Sequence, residues 1–273
     1  MISIVCVYDD EKILNNWLLK GLKNQTVEFE LIKIDNTQGI FKLAAEALNY
    51  GGKKAKGEYI MFMHQDVCLL ADDWLKKAEF FLKKIPDLGI AGVAGMRKTK
   101  SVRMWKVGTI PVESGIGVVY HGRKKEPWRC NKNFEEPAKV QTLDEQLLIV
   151  HKNIFENLRF DEKICYNWHL YGVDYSLSVK KLSLKSYVLP LPVWHRSTGS
   201  LNREYYITLS RILKKHKNYK KIYTTCGLWY TSNFFNCPKL LITGIRSEIG
   251  RWMGRENVGL RPFLTQIKLL LNC

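Results

Sequence analysis

Carboxylates cluster at three places in the first quarter of the chain, each directly after a short apolar run. ISIVCVY ends in Tyr8-Asp9-Asp10, FELIKI ends in Asp35-Asn36, and EYIMFM ends in His64-Gln65-Asp66. If the three runs are parallel strands, these residues share one sheet edge, where open α/β folds bind ligands. No glycine lies between Met1 and Lys20, and GxxxxGK[ST] does not occur. The sequence therefore lacks the glycine-rich turns whose amides cradle a dinucleotide or the phosphates of a P-loop. A diphosphate brought to so acidic an edge needs a counter-charge. A divalent cation shared by a carboxylate and the phosphates supplies it. Asp66 fits that metal-ligand role, and Asp35 fits hydrogen bonding to a base or ribose. Taken alone, either aspartate reads more simply as a helix cap or turn former. Three acidic strand ends together favour the ligand reading.

The elements that must position these groups follow a regular order. Strands are expected over 2–8, 29–34, 58–63 and 88–95, from β-branched and apolar runs of buried-strand length. Between them, helices are expected over 11–23, over 41–50 with Gly51-Gly52 as a stop, and over 72–84 with an aspartate at its start. This alternation predicts an α/β fold with a mostly parallel sheet flanked by helices. The rhythm is lost over 97–138, a basic, Gly- and Pro-containing stretch with Trp105 and Trp128, which reads as a long loop or hairpin excursion. Order returns over 140–150, in a helix near 167–182 and in a strand near 186–189. Beyond residue 200 the chain reads as helical and basic.

These stretches resemble the family 2 glycosyltransferases, which have the GT-A (Rossmann-like) fold. ISIVCVYDDEKIL is similar to that family's opening strand, with Asp9 at the usual Asn, and ELIKIDNT to its second strand with a nucleoside-binding aspartate, here Asp35. His64-Gln65-Asp66 falls at the DxD position, with Asp66 where the metal-binding aspartate stands and His64 replacing the first aspartate. The HQD form is similar to transferases of capsule and surface polysaccharides. LLIVHKNIFENLRFDEKI resembles the acceptor-side strand, GVDYSLSVKKLSLKSYVLP the helix carrying the catalytic base, and VWHRSTGS the segment whose histidine binds metal or diphosphate. The resemblance covers about residues 1–200 and is weakest over 97–138.

The resemblance implies an inverting transfer from a nucleotide-sugar, a UDP-sugar favoured, to a hydroxyl of a glycan or lipid-linked acceptor. It implies Asp174 as base, with Asp144 in LDEQLL as the alternative, and a divalent cation (Mn or Mg) on Asp66 and His195. Contacts to the nucleotide-sugar fall to Tyr8, Asp10, Asp35, Lys42, Gln65 and Arg196.

The 273 residues, 46% hydrophobic and 25% charged, suit a folded chain and exclude disorder over most of its length, collagen and coiled coil. No apolar run approaches the roughly 20 residues that cross a bilayer, and no secretory leader precedes the first strand. A cytoplasmic protein is expected, peripheral on the inner face of the cell membrane. Seven cysteines without a CxxC pair read as reduced thiols. The net charge is +17, and residues 201–273 carry +10 of it, with 13 Lys+Arg against 3 Asp+Glu. The expected division is therefore a catalytic domain over 1–200 and a basic, mainly helical extension over 201–273. The basic run 211–221 and an amphipathic stretch over 241–255 suit an anionic membrane surface. Competing readings are a nucleic-acid-binding protein that uses this tail and an inactive transferase-like scaffold. Nucleic acid is not an expected partner, because no recognised binding motif occurs and the acidic strand ends repel phosphate.

Overall fold

Strand β1 (Ile2–Tyr8) sends Ile2, Ile4 and Cys6 into a core on one face of the sheet and Val5 into a second core on the other. A strand covered on both faces needs apolar residues at successive positions, which is why its run does not alternate. The computed structural model describes residues 1–99, 110–197 and 202–231. In it β1 pairs in parallel with β2 (Phe29–Asp35) and β3 (Tyr59–Met63), so Tyr8 faces Asp35 across the pair. Further along the chain come β4 (Val67–Leu69), β5 (Leu88–Gly92), β6 (Ala94–Met96), β7 (Gly115–Gly117), β8 (Val119–His121) and β9 (Glu126–Pro127). They are followed by β10 (Ala138–Val140), β11 (Thr142–Leu143), β12 (Leu147–His151), β13 (Lys185–Val188), β14 (Val193–His195), β15 (Lys221–Thr224) and β16 (Gly227–Tyr230).

The central sheet has the order β10-β13-β5-β12-β3-β1-β2. Strands β1, β2, β3, β5 and β13 run one way; β12 and β10 run against them. The sheet is thus mixed, with most strands parallel as expected and β12 inserted antiparallel at its centre.

One face is covered by α1 (Glu11–Leu14), the π-helical turn Asn15–Leu19, α2 (Lys20–Leu22) and α4 (Trp74–Lys84). The other is covered by α3 (Ala44–Gly52), α5 (Lys152–Asn157) and α6 (Tyr171–Ser178). Gly51 and Gly52 do not stop α3 from outside; they form its last turn against the sheet. A Cβ on Gly51 would come within 2.4 Å of Val5 Cγ1, and one on Gly52 within 2.4 Å of the Phe155 ring.

The expected strand 88–95 breaks at Val93, where β6 leaves to join β7 and β11 in a small sheet. The stretch 140–150 divides likewise among β10, β11 and β12. Residues 202–231, the described part of the expected extension, make close contacts with the preceding elements. Helix α7 (Arg203–Lys215) buries Tyr205, Leu209 and Ile212 against Leu170, Val173 and Leu177 near α6, and the Gln141 side chain is hydrogen-bonded to the backbone of Lys221 and Tyr223 in β15. Residues 202–231 thus pack on elements that precede residue 200. The amphipathic stretch 241–255 and Trp105 lie outside the described residues. Five cysteines, Cys6, Cys68, Cys130, Cys165 and Cys226, are free thiols. Among the described residues no helix is long and apolar enough to cross a membrane.

Candidate active site

The three strand ends meet at a cavity of about 590 Å³. Tyr8, Asp9, Lys42, His64, Gln65 and Asp66 line it, with Asn36 and Thr37 after β2 and Asn167 and Trp168 before α6. Asn36 holds the loop that carries Lys42 in place. Its Oδ1 accepts from the Phe41 amide at 2.8 Å and its Nδ2 donates to the Phe41 carbonyl at 3.1 Å. Gln65 ties two strand ends together, since its Oε1 accepts from the amides of Asp9 and Asp10 at 3.1 Å each and its Nε2 donates to Asp9 Oδ1.

Asp66 and His195 lie 129 positions apart and are joined by a three-residue pairing. β4 runs antiparallel to β14, with Val67 opposite His195. Asp66 Oδ1 lies 3.3 Å from His195 Nε2, and Asp66 Oδ2 accepts from the Ser197 amide at 3.1 Å. His64 completes the group. One ligand atom from each of His64, Asp66 and His195 lies within 4.8 Å of the other two. The Tyr171 hydroxyl, 2.7 Å from His64 Nε2, fixes that ring.

Burial alone would push the Asp66 carboxyl up. The His195 hydrogen bond, the charges of His195 and His64, and the Ser197 amide outweigh it and hold the group well below the ordinary carboxylate range. Burial, reinforced by His195, pulls His64 down to about 4, so its imidazole is neutral at pH 7. A neutral imidazole, a second imidazole and an ionised carboxylate make a fitting donor set for a divalent transition metal. His121, opposite His195 in the parallel β8–β14 pair, brings a third ring to the site, 5.7 Å from that of His195.

The other expected site residues divide. Asp35 stands at the rim rather than in the lining, accepting from the Thr37 amide at 2.9 Å. That amide, with help from the Thr37 and Tyr8 hydroxyls, lowers its carboxyl. Asp10 is a helix cap, its Oδ1 accepting from the Ile13 amide at 3.0 Å, and it does not line the cavity. Arg196 meets Asp66 through its backbone, its amide donating to the Asp66 carbonyl at 2.9 Å.

The two candidate bases are also separated. Asp144 is half-buried and accepts through Oδ2 from the Thr225 hydroxyl at 2.6 Å; it does not line the cavity, but its charge opposes the lowering of both His64 and His121, so it stands on the side of the histidines. Asp174 is 2% exposed, with Lys215 Nζ 2.7 Å from one oxygen and His216 Nε2 2.8 Å from the other. Both oxygens are occupied, and they face α7 rather than the cavity. A base must reach its hydroxyl at about 2.6–3.2 Å, and in this structure both Asp174 oxygens are engaged by Lys215 and His216 instead.

Three residues carried no signal in sequence reasoning or an ambiguous one. His64 stood beside Asp66 with no role assigned. Trp168, 39% exposed at the cavity, falls at the start of the helix expected near 167–182 with no role assigned. Glu145 lies against the first turn of α6, with Oε1 buried and unpartnered among the described residues. Burial, then the charge of Asp144, pushes its carboxyl up to about 8, against the pull of the backbone amides at 145, 170 and 172. A carboxyl protonated more easily folded than unfolded makes folding less favourable as pH rises from 4.5 to about 8, with the cost complete above that. Melting temperatures at pH 6 and pH 9 are therefore expected to differ less in Glu145→Gln than in the wild type, with the variant the more stable at pH 9. Equal pH slopes in the two proteins would remove the assignment.

The sequence profile described as "Glycosyltransferase like family" matches residues 3–223. No curated protein sequence matches the chain. Among solved structures, the chain is similar to GalNAc-T7 crystallised with UDP, GalNAc and Mn2+, at TM-score 0.53 and 15% identity, over 78% of this chain and 47% of that one. It thus spans about half the length of that protein. It is also similar to the mannosyltransferase PcManGT of Pyrobaculum calidifontis in complex with GDP-Man and Mn2+, at TM-score 0.50 and 11% identity, over 100% of this chain and 80% of that one. At these identities the likeness is one of fold.

Proposed function

The chain belongs to the glycosyltransferase-like family, and from that premise we propose that it is a metal-dependent, inverting transferase that moves a sugar from a nucleotide-sugar to a hydroxyl of a glycan or lipid-linked acceptor. The observation that carries the reading is the convergence of His64, Asp66 and His195, the first two of which line a cavity built from three strand ends. The nucleotides held by the two similar structures, UDP in one and GDP-Man in the other, support a nucleoside diphosphate as the leaving group.

In this reading Asp35 accepts from the ribose or base, Trp168 stacks on a planar or sugar ring, and Lys42, which also lines the cavity, neutralises diphosphate charge. His64, Asp66 and His195 hold the cation, and two imidazoles beside one carboxylate favour Mn over Mg. Bound there, the cation supplies Lewis acidity to the departing diphosphate. The acceptor oxygen forms its bond to the anomeric carbon on the face opposite the diphosphate, inverting that carbon. The carbon–oxygen bond to the diphosphate breaks with its electron pair on the phosphate oxygen. The hydroxyl proton passes to Asp144, which Thr225 orients.

Replacing Asp144 by asparagine keeps the Thr225 contact and removes the base. Transfer is expected to fall by about 10²–10⁴-fold while Mn-dependent donor binding persists. Donor choice is read by thermal shift with UDP- and GDP-sugars, each with and without Mn. A cognate donor at about a hundred times its dissociation constant should stabilise the fold by roughly 2.7 kcal/mol. If no nucleotide-sugar moves the melting temperature in the presence of Mn, and none is turned over, the proposed function fails.

A further inference from the structure

A second cavity, of about 530 Å³, lies at the opposite end of the sheet order from the donor cavity. It is built from the end of β6, from β10 and the start of β13, and from the 3-10 turn Val179–Leu182 that follows α6. Strands β5 and β12 stand between it and the three strands of the donor cavity, and the two cavities share no lining residue. Five cations line it: Arg97, Lys98, Lys139, Lys180 and Lys185; no aspartate or glutamate does. Only Lys185 has an acidic partner among the described residues, a salt bridge to Asp87. The ammonium groups of Lys98 and Lys180 both stand over the ring of Tyr219, at 5.8 and 5.2 Å from its centroid.

Cations on a solvated face ordinarily diverge, and their neighbours include carboxylates. Here five cations, four of them in no salt bridge among the described residues, converge on one concavity from four separate segments. Mutual repulsion is the cost of that arrangement, and a multiply charged anion relieves it. The Lys180 ammonium registers the strain. Burial, then the charges of Lys98 and Lys139, push it down to about 8.

We propose that this cavity is a binding site for a phosphoryl group carrying two or more negative charges, separate from the donor site. The number of cations suits a diphosphate or a phosphomonoester better than a carboxylate, which one cation would satisfy. The group could belong to a soluble phosphate ester or to a lipid headgroup, and the recognition chemistry is the same for both. This inference does not depend on the proposed transfer reaction.

The test uses the full chain in the presence of EDTA, so that no metal draws phosphate to the donor cavity. Inorganic pyrophosphate is titrated calorimetrically into the wild type and into Lys98→Gln/Lys180→Gln. Binding is expected in the wild type, weakened roughly tenfold or more in the double variant. Should that variant not fold, Arg97→Gln/Lys139→Gln, at two exposed positions, takes its place. No binding by the wild type, or equal binding by the folded variant, overturns the site. Co-sedimentation with phosphatidylglycerol vesicles identifies the source. Vesicle binding lost with the same substitutions assigns a headgroup; pyrophosphate binding without vesicle binding assigns a soluble ester.

Discussion

Asp66→Asn is expected to lower transfer by roughly 10³-fold or more and to abolish specific Mn binding, while the protein stays folded. The asparagine keeps a side-chain oxygen for the Ser197 amide, so the β4–β14 junction retains that bond. It loses the negative charge that the neighbouring histidines hold ionised. What remains is two imidazoles, one of them already neutral, and no anionic ligand for a hard cation. Stabilisation of a departing diphosphate by a bound cation amounts to several kcal/mol, and each 1.36 kcal/mol is tenfold in rate. Two readouts separate this from general damage. Electron paramagnetic resonance of added Mn reports binding without any donor or acceptor, and the melting temperature reports the fold. A variant that still binds Mn as the wild type does, or that transfers at a comparable rate, would falsify the metal assignment.

The parts of this structure that could be read in the sequence are those fixed by local physics. Strands β1 and β3 were legible within a residue or so because both faces of the sheet are covered there and their apolar runs are unbroken, and β2, the half-buried edge strand, because Phe29, Leu31, Ile32 and Ile34 still outnumber its charges. Direction was not legible at β12. LLIVH is the same kind of run as its parallel neighbours, and only the chain's route decides that it enters antiparallel between β3 and β5. Asp66 could be singled out by its place after a strand, but its third companion could not. His64 becomes a candidate ligand through a meeting with His195 that depends on three-residue strands, too short to show a period. Asp10 illustrates the converse. An aspartate between a strand and an amphipathic stretch reads alike as ligand or cap, and in the structure its Oδ1 caps the Ile13 amide. The basic run 211–221 also changes meaning. Arg211 stacks on Tyr166, Lys215 reaches Asp161 and Asp174, and His216 reaches Asp174, so part of a charge surplus expected to face a partner is turned inward.

That inward charge makes the second large prediction one of stability rather than rate. Asp174→Ala is expected to destabilise the fold by about 3–5 kcal/mol, because it strands Lys215 beside a buried site with its main partner gone. Burial alone would pull the Lys215 ammonium down; the charge and hydrogen bond of Asp174, joined by Asp161, reverse the shift and keep it raised. At this chain length the loss corresponds to a fall in melting temperature of about 6–20 °C. Lys215→Met in the Asp174→Ala background should restore part of it, since an apolar side chain of similar length has no charge to leave unpaired. Transfer measured well below the lowered melting temperature should stay within a few-fold of the wild type, because Asp174 faces α7 and not the cavity. The opposite pattern, an unchanged melting temperature with transfer abolished, would return Asp174 to the role of base and displace Asp144 from it.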